Sequence, residues 1–152
     1  MQDVEVRLFT DGGCSGNPGP GGWAYILEHM PTGQRKSDSG GEPSTTNNRM
    51  ELMGVIGGLE SLKRACSVEL ITDSQYVAKG LSEWLPKWKA RGWRRGKGAK
   101  GGGEVKNLDL WQRLDQLITK HRVRCTHVFG HAGHPENEEC DRMAVAAYQR
   151  WL

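Results

Sequence analysis

The chain has 152 residues, of which 36% are apolar and 26% charged, and its formal net charge is +3. That length predicts one domain over 1–152, with enough core to need neither disulfides nor a structural metal. No apolar run reaches the roughly 18 residues of a membrane span. The acidic start Met1-Gln2-Asp3-Val4-Glu5 lacks the apolar stretch of a secretory signal. No membrane partner and a cytoplasmic location are therefore expected.

Val4, Val6 and Leu8 alternate with charged residues, which predicts a half-buried strand ending at Asp11. The Gly- and Pro-rich run from Gly12 to Gly22 predicts a stop to regular structure. Trp23–Leu27 reads as a second strand, Met30-Pro31-Thr32-Gly33 as a turn, and residues 34–41 as the third strand of a meander. Thr45 and Thr46 stand where an N-cap belongs, ahead of a helix over 47–62. Val68–Thr72 reads as a strand ending at Asp73, and Ser74 opens a helix to about Leu85. Residues 86–106 are basic and glycine-rich. Leu108, Trp111, Leu114, Leu117 and Ile118 mark an amphipathic helix, Val123–Phe129 a strand, and Glu136–Trp151 a closing helix. Three strands followed by alternating helix and strand predict an α/β fold, a mixed sheet with helices on its faces. Cys14, Cys66, Cys125 and Cys140 form no C-x-x-C pair, which argues for reduced thiols rather than zinc.

Four acids stand out. Asp11 and Asp73 end predicted strands, where sheets of this kind bind ligands. Glu51 lies in the first turns of its helix, and Asp141 lies in the closing helix after the loop Gly130-His131-Ala132-Gly133-His134-Pro135-Glu136-Asn137. Any one alone is explained as a cap or a turn acid. Together, carboxylates from separate elements suit hard divalent cations such as Mg²⁺, and two ions about 3.5–4 Å apart suit phosphoryl displacement. Without metal, their mutual repulsion should raise some of their pKa values.

These residues sit in motifs that run the length of the chain. Thr10-Asp11-Gly12-Gly13-Cys14-Ser15-Gly16-Asn17-Pro18-Gly19-Pro20-Gly21-Gly22-Trp23-Ala24 resembles the opening of bacterial type 1 ribonuclease H. So do Thr45-Thr46-Asn47-Asn48-Arg49-Met50-Glu51-Leu52, Thr72-Asp73-Ser74-Gln75-Tyr76-Val77, Lys106-Asn107-Leu108-Asp109-Leu110-Trp111, the loop 130–138 and Asp141-Arg142-Met143-Ala144. The resemblance implies a five-stranded mixed sheet, three antiparallel strands and then parallel ones, flanked by helices and carrying a basic protrusion. It implies a monomeric endoribonuclease that hydrolyses the RNA strand of RNA/DNA hybrids, leaving 5′-phosphate and 3′-hydroxyl ends. Removal of RNA primers and R-loops would be its role in replication and repair.

Residue by residue, the resemblance assigns metal binding and catalysis to Asp11, Glu51, Asp73 and Asp141. The cofactor would be two Mg²⁺ ions with substrate bound, with Mn²⁺ as a substitute. His131 would shuttle a proton or help product leave. Asn17, Asn47, Asn48 and Gln75 are amides suited to base edges and 2′-hydroxyls, with Cys14 beside them. Thr46, Arg49 and Asn107 match positions that grip a DNA-strand phosphate.

The net charge conceals a split. Between Trp84 and Lys106, eight basic residues face one acid, Glu104, a local charge of +7 that leaves −4 elsewhere. Lys87, Lys89 and Arg91 are interleaved with Trp84, Trp88 and Trp93, which suits backbone binding by cations and stacking by rings. Trp84 and Trp88 should share a helix face, and at least one of the three Trp should be mainly structural. The segment matches the protrusion that holds the DNA strand in the family. Its glycine-rich stretch up to Glu104 is longer than the usual bacterial version, and residues 96–103 are expected to form a mobile tip. A non-catalytic hybrid-binding module and an integrase-like DNA strand transferase are the alternatives; the intact acids argue against the first, and the amides and protrusion against the second.

Overall fold

The computed structural model describes residues 4–94, 105–129 and 134–152. The predicted tip at 96–103 and His131 lie outside the described residues. Strands β1 (Val6–Cys14), β2 (Gly19–His29), β3 (Arg35–Thr45), β4 (Ser67–Thr72) and β5 (Arg122–His127) form one sheet in the order β3-β2-β1-β4-β5. The β1–β2 and β2–β3 pairs are antiparallel, and β1–β4 and β4–β5 are parallel. The helices are α1 (Asn47–Glu60), α2 (Gln75–Lys79), α3 (Leu85–Ala90), α4 (Leu108–Lys120) and α5 (Pro135–Tyr148). The five-stranded mixed arrangement is therefore as expected.

Strand β1 is central, and helices cover both of its faces. Val6 and Leu8 enter the core beneath α1 and α4, while Phe9 joins Ala24, Ile26 and Ile71 against Cys140 and Ala144 of α5. The half-buried strand predicted from alternation is thus buried on both sides over Leu8–Asp11. A parallel-paired strand between two helical layers has no solvent face to show. Edge strand β3 is mostly exposed and rich in charged residues, which discourages pairing with another chain.

The glycine run does not end regular structure as expected. β1 continues to Cys14 and β2 starts at Gly19, leaving only residues 15–18 as the turn, closed by Ser15 N–H donating to the Pro20 carbonyl at 2.8 Å. Gly16, at φ 82°, serves that turn, whereas Gly12 and Gly22 serve close approach. A Cβ at Gly12 would lie 2.3 Å from the Met50 carbonyl carbon, and one at Gly22 would lie 2.2 Å from the Ala144 carbonyl oxygen. Backbone thus meets backbone where β1 touches α1 and where β2 touches α5.

A second correction concerns the helix that begins at Ser74. It continues past Leu85 to Ala90, through a widened π turn at Gly80–Trp84. Pro86 explains the widening: it has no N–H for the preceding turn, and its ring crowds the carbonyl four residues back. The first part of the basic segment is therefore helical. A Cβ at Gly80 would fall 2.0 Å from the Trp111 ring, so α4 seats its indole on the bare backbone of this turn.

Candidate active site

The adjacent parallel strands β1 and β4 both run toward the same end of the sheet, so Asp11 near the end of one and Asp73 just beyond the other meet there. Glu51 reaches the same point from α1. Thr46 starts that helix by accepting the Arg49 N–H on its hydroxyl at 3.3 Å, which fixes Glu51 in the second turn. Ser74 caps α2 in the same way, accepting the Val77 N–H at 3.1 Å.

One ligand oxygen from each of Asp11, Glu51 and Asp73 lies within 4.8 Å of the others. Asp11 is only 8% exposed. Burial first, then the charge of Asp73 and a hydrogen bond with Asp141, push its carboxyl up to about 8 from the usual 3.8, against a bond from the Gly12 N–H. Burial, followed by the charges of Asp11 and Asp73, also raises Glu51 well above the usual carboxylate range, opposed by hydrogen bonds from Ser74 and the Gly12 backbone. Its Oε1 is buried without a hydrogen-bond partner among the described residues. Asp141, on α5, is exposed and completes the group through Asp11. A set of carboxylate oxygens this close, with one orphaned and two sharing a hydrogen bond, fits a hard divalent cation.

The amides stand in the β1–β2 turn and at the starts of α1 and α2. Asn47 Oδ1 accepts the Cys14 N–H at 2.8 Å, and Asn17 Oδ1 accepts the Asn47 N–H at 3.2 Å, tying the β1–β2 turn to the start of α1. Asn48 and Gln75 are exposed at the starts of α1 and α2. Arg49 donates through Nη1 to Asn107 Oδ1 at 3.3 Å, so the predicted pair of Arg49 and Asn107 is brought together. The sequence reading missed three neighbours. Asp109 takes Arg49 in two parallel bonds of 3.1 and 2.9 Å. The Tyr76 hydroxyl accepts from Asn107 Nδ2 at 3.1 Å and from Trp111 Nε1 at 2.9 Å. Ser74 serves the Glu51 carboxyl. All three stood inside quoted motifs: Ser74 directly follows Asp73, Tyr76 stands three positions after it, and Asp109 stands two after Asn107.

Trp84 and Trp88 do share a face, with ring centroids 6.0 Å apart, and Trp88 packs edge-on against Trp111 at 5.5 Å. Trp84 and Trp111 each pack on Tyr76 at 5.6 Å. Trp88 and Trp93 pack against the main core, so both have a structural share. Lys87 and Arg91 are exposed, whereas Lys89 is paired with Asp115 at 3.0 Å. Among the described residues no helix is long and apolar enough to cross a membrane. The four cysteines are free thiols.

Comparison with known proteins agrees with this geometry. The family model for RNase H matches residues 3–149. The chain is 58% identical over 147 residues to the ribonuclease H of Rhodopirellula baltica, covering 97% of this chain and 92% of that protein. It is 52% identical over 143 residues to a ribonuclease H of Escherichia coli O139:H28, covering 94% and 88%. Among solved structures, LC9-RNase H1, described as a type 1 RNase H with the type 2 active-site motif, superposes with a TM-score of 0.83 at 34% identity, over 100% of this chain and 75% of that one. RNase H1 from the archaeon Halobacterium salinarum superposes with a TM-score of 0.65 at 26% identity, over 93% and 96%. With its strand-end acids, its fold and these relatives in agreement, the chain belongs to the ribonuclease H family.

Proposed function

We propose that Asp11, Glu51, Asp73 and Asp141 hold two Mg²⁺ ions with which the chain cuts the RNA strand of an RNA/DNA hybrid. The reading is supported above all by the three carboxylates whose ligand oxygens lie within 4.8 Å of one another. When bound, the ions supply Lewis acidity at the scissile phosphate and an acidified water, the chemistry this family requires of its metals. The rest falls to the chain's own side chains. Glu51 also reaches the 2′-hydroxyl beside the cut, the group that distinguishes RNA from DNA. Asn17, Asn47, Asn48 and Gln75 offer donors and acceptors to the minor groove, and the Cys14 N–H holds Asn47 in place for that task. Thr46, Arg49 and Asn107 hold a phosphate of the DNA strand. His131 carries a proton away or eases product release.

Lys87, Lys89 and Arg91 meet the DNA backbone from the protrusion, with Trp84 as the ring available to sugars and with Trp88 and Trp93 shaping the surface behind it. The protein acts as a monomeric single domain in the cytoplasm, on RNA primers and R-loops, and Mn²⁺ substitutes for Mg²⁺. The test is a cleavage assay on hybrid, duplex RNA, duplex DNA and single strands, with Mg²⁺, Mn²⁺ or EDTA. Cutting confined to the RNA of the hybrid, and abolished by EDTA, is expected. Comparable cleavage of duplex DNA, or cleavage that survives EDTA, would refute the reading. Sedimentation of the pure protein checks the monomer.

A further inference from the structure

We propose that Asp109 is a built-in counter-anion: it occupies the Arg49 guanidinium until a DNA-strand phosphate displaces it, and so weakens substrate grip and eases release. This rests on the reading of Arg49 and Asn107 as a phosphate grip. The two parallel bonds from Arg49 Nη1 and Nη2 to Asp109 Oδ1 and Oδ2, at 3.1 and 2.9 Å, use the fork that an arginine presents to a phosphate. The same two N–H groups cannot serve both anions, so a phosphate bound in this manner must remove the carboxylate.

The surroundings allow that exchange. The Asp109 side chain is 66% exposed and that of Arg49 34%, which puts the carboxylate on the solvent side, where a phosphate arrives. Arg49 is held independently by Asn107 Oδ1. Asn107 in turn sits in a left-handed backbone conformation at φ 58°, secured by Tyr76, whose hydroxyl also takes the Trp111 N–H. Asn tolerates that conformation, and its bond gives Arg49 an anchor other than Asp109. A displaced Asp109 is not left without donors either. It lies in the first turn of α4, where the helix dipole favours an anion and the Leu110 N–H bonds its carboxylate.

The experiment measures equilibrium binding of a short fluorescent RNA/DNA hybrid to the full chain in EDTA, so that nothing is cut. Wild type, Asp109→Asn, Arg49→Ala and the double variant are compared at low and moderate salt. Asp109→Asn is expected to tighten binding about two- to fivefold, the range of one exposed ion pair. Arg49→Ala should weaken binding, and the double variant should match Arg49→Ala alone. Asp109→Ser, neutral and able to serve the helix start, should repeat the Asp109→Asn result if the latter folds poorly. Weakening by Asp109→Asn would overturn the proposal, since Asp109 would then merely orient Arg49. Equal tightening in the Arg49→Ala background would overturn it too, as a general charge effect. Unchanged binding in Arg49→Ala would remove the phosphate grip itself, and the proposal with it.

Discussion

Replacing Asp11 by Asn should abolish hybrid cleavage yet stabilise the metal-free protein. The Asp11 carboxyl rises to about 8 in the folded chain from 3.8, chiefly through burial and then through Asp73 and Asp141. Each tenfold change in proton affinity corresponds to about 1.4 kcal/mol, so the raised proton affinity of folded Asp11 destabilises the fold at pH 7 by about 4 kcal/mol as a ceiling. Because Glu51 is raised beside Asp11 and would stay strained, neutralising one acid should return only part of that, about 1–3 kcal/mol. The sign follows from the raised folded value. The penalty is absent below the unfolded pKa, and stability is lost progressively as pH rises from about 4 to about 8. Urea unfolding in EDTA at pH 4 and pH 7.5 tests this. Wild type should be less stable at the higher pH, and Asp11→Asn should gain mainly there. Added Mg²⁺ should stabilise wild type by binding the native state, and the variant less. A metal-free Asp11→Asn protein that is less stable than wild type by more than about 1 kcal/mol at pH 7.5 would refute the argument, because Asp11 would then be a structural residue.

Two further outcomes follow from packing and charge. Gly12→Ala places a methyl 2.3 Å from the Met50 backbone, so β1 and α1 must separate and carry Asp11 and Glu51 apart. A loss of about 1–3 kcal/mol in urea unfolding is expected, together with a fall in kcat of at least about tenfold; wild-type kcat would show that the close approach is not what sets the site. Lys87 and Arg91 are exposed on and just after α3. Changing both to Ala should weaken hybrid binding and reduce the slope of log affinity against log salt by about one per lost phosphate contact, and an unchanged slope would remove these cations from the interface.

Most elements were legible because their signals are local. Alternation in Val4–Leu8, the threonines before Asn47 and the apolar stripe of α4 each report a period or a cap. The acids were legible as a group because two of them stand at strand ends. What was misread depended on distant partners. A glycine run looks the same whether it turns the chain or lets a helix backbone approach a strand, and only the Met50 and Ala144 backbones, far along the chain, decide for the second. The helix from Ser74 was read only to about Leu85, and nothing local shows that a wider turn at Gly80–Trp84 carries it past Pro86. Arg49 was read as a cation awaiting a phosphate, while its present partner Asp109 is 60 residues away.

The same long-range packing explains how acids that repel one another are held close together. Backbone contact at Gly12 anchors α1 to β1, and that contact leaves the position of Glu51 little freedom. The aromatic group of Tyr76, Trp84, Trp88 and Trp111 ties α2 and α3 to α4, which steadies the segment directly after Asp73. Apolar and aromatic burial elsewhere thus holds the acids together at a cost the acids cannot meet among themselves, and neutralisation by cations then favours the arrangement that the core already imposes. On this account Gly12→Ala and Asp11→Asn both lose activity but shift metal-free stability in opposite directions, which is the comparison that separates the scaffold from the site.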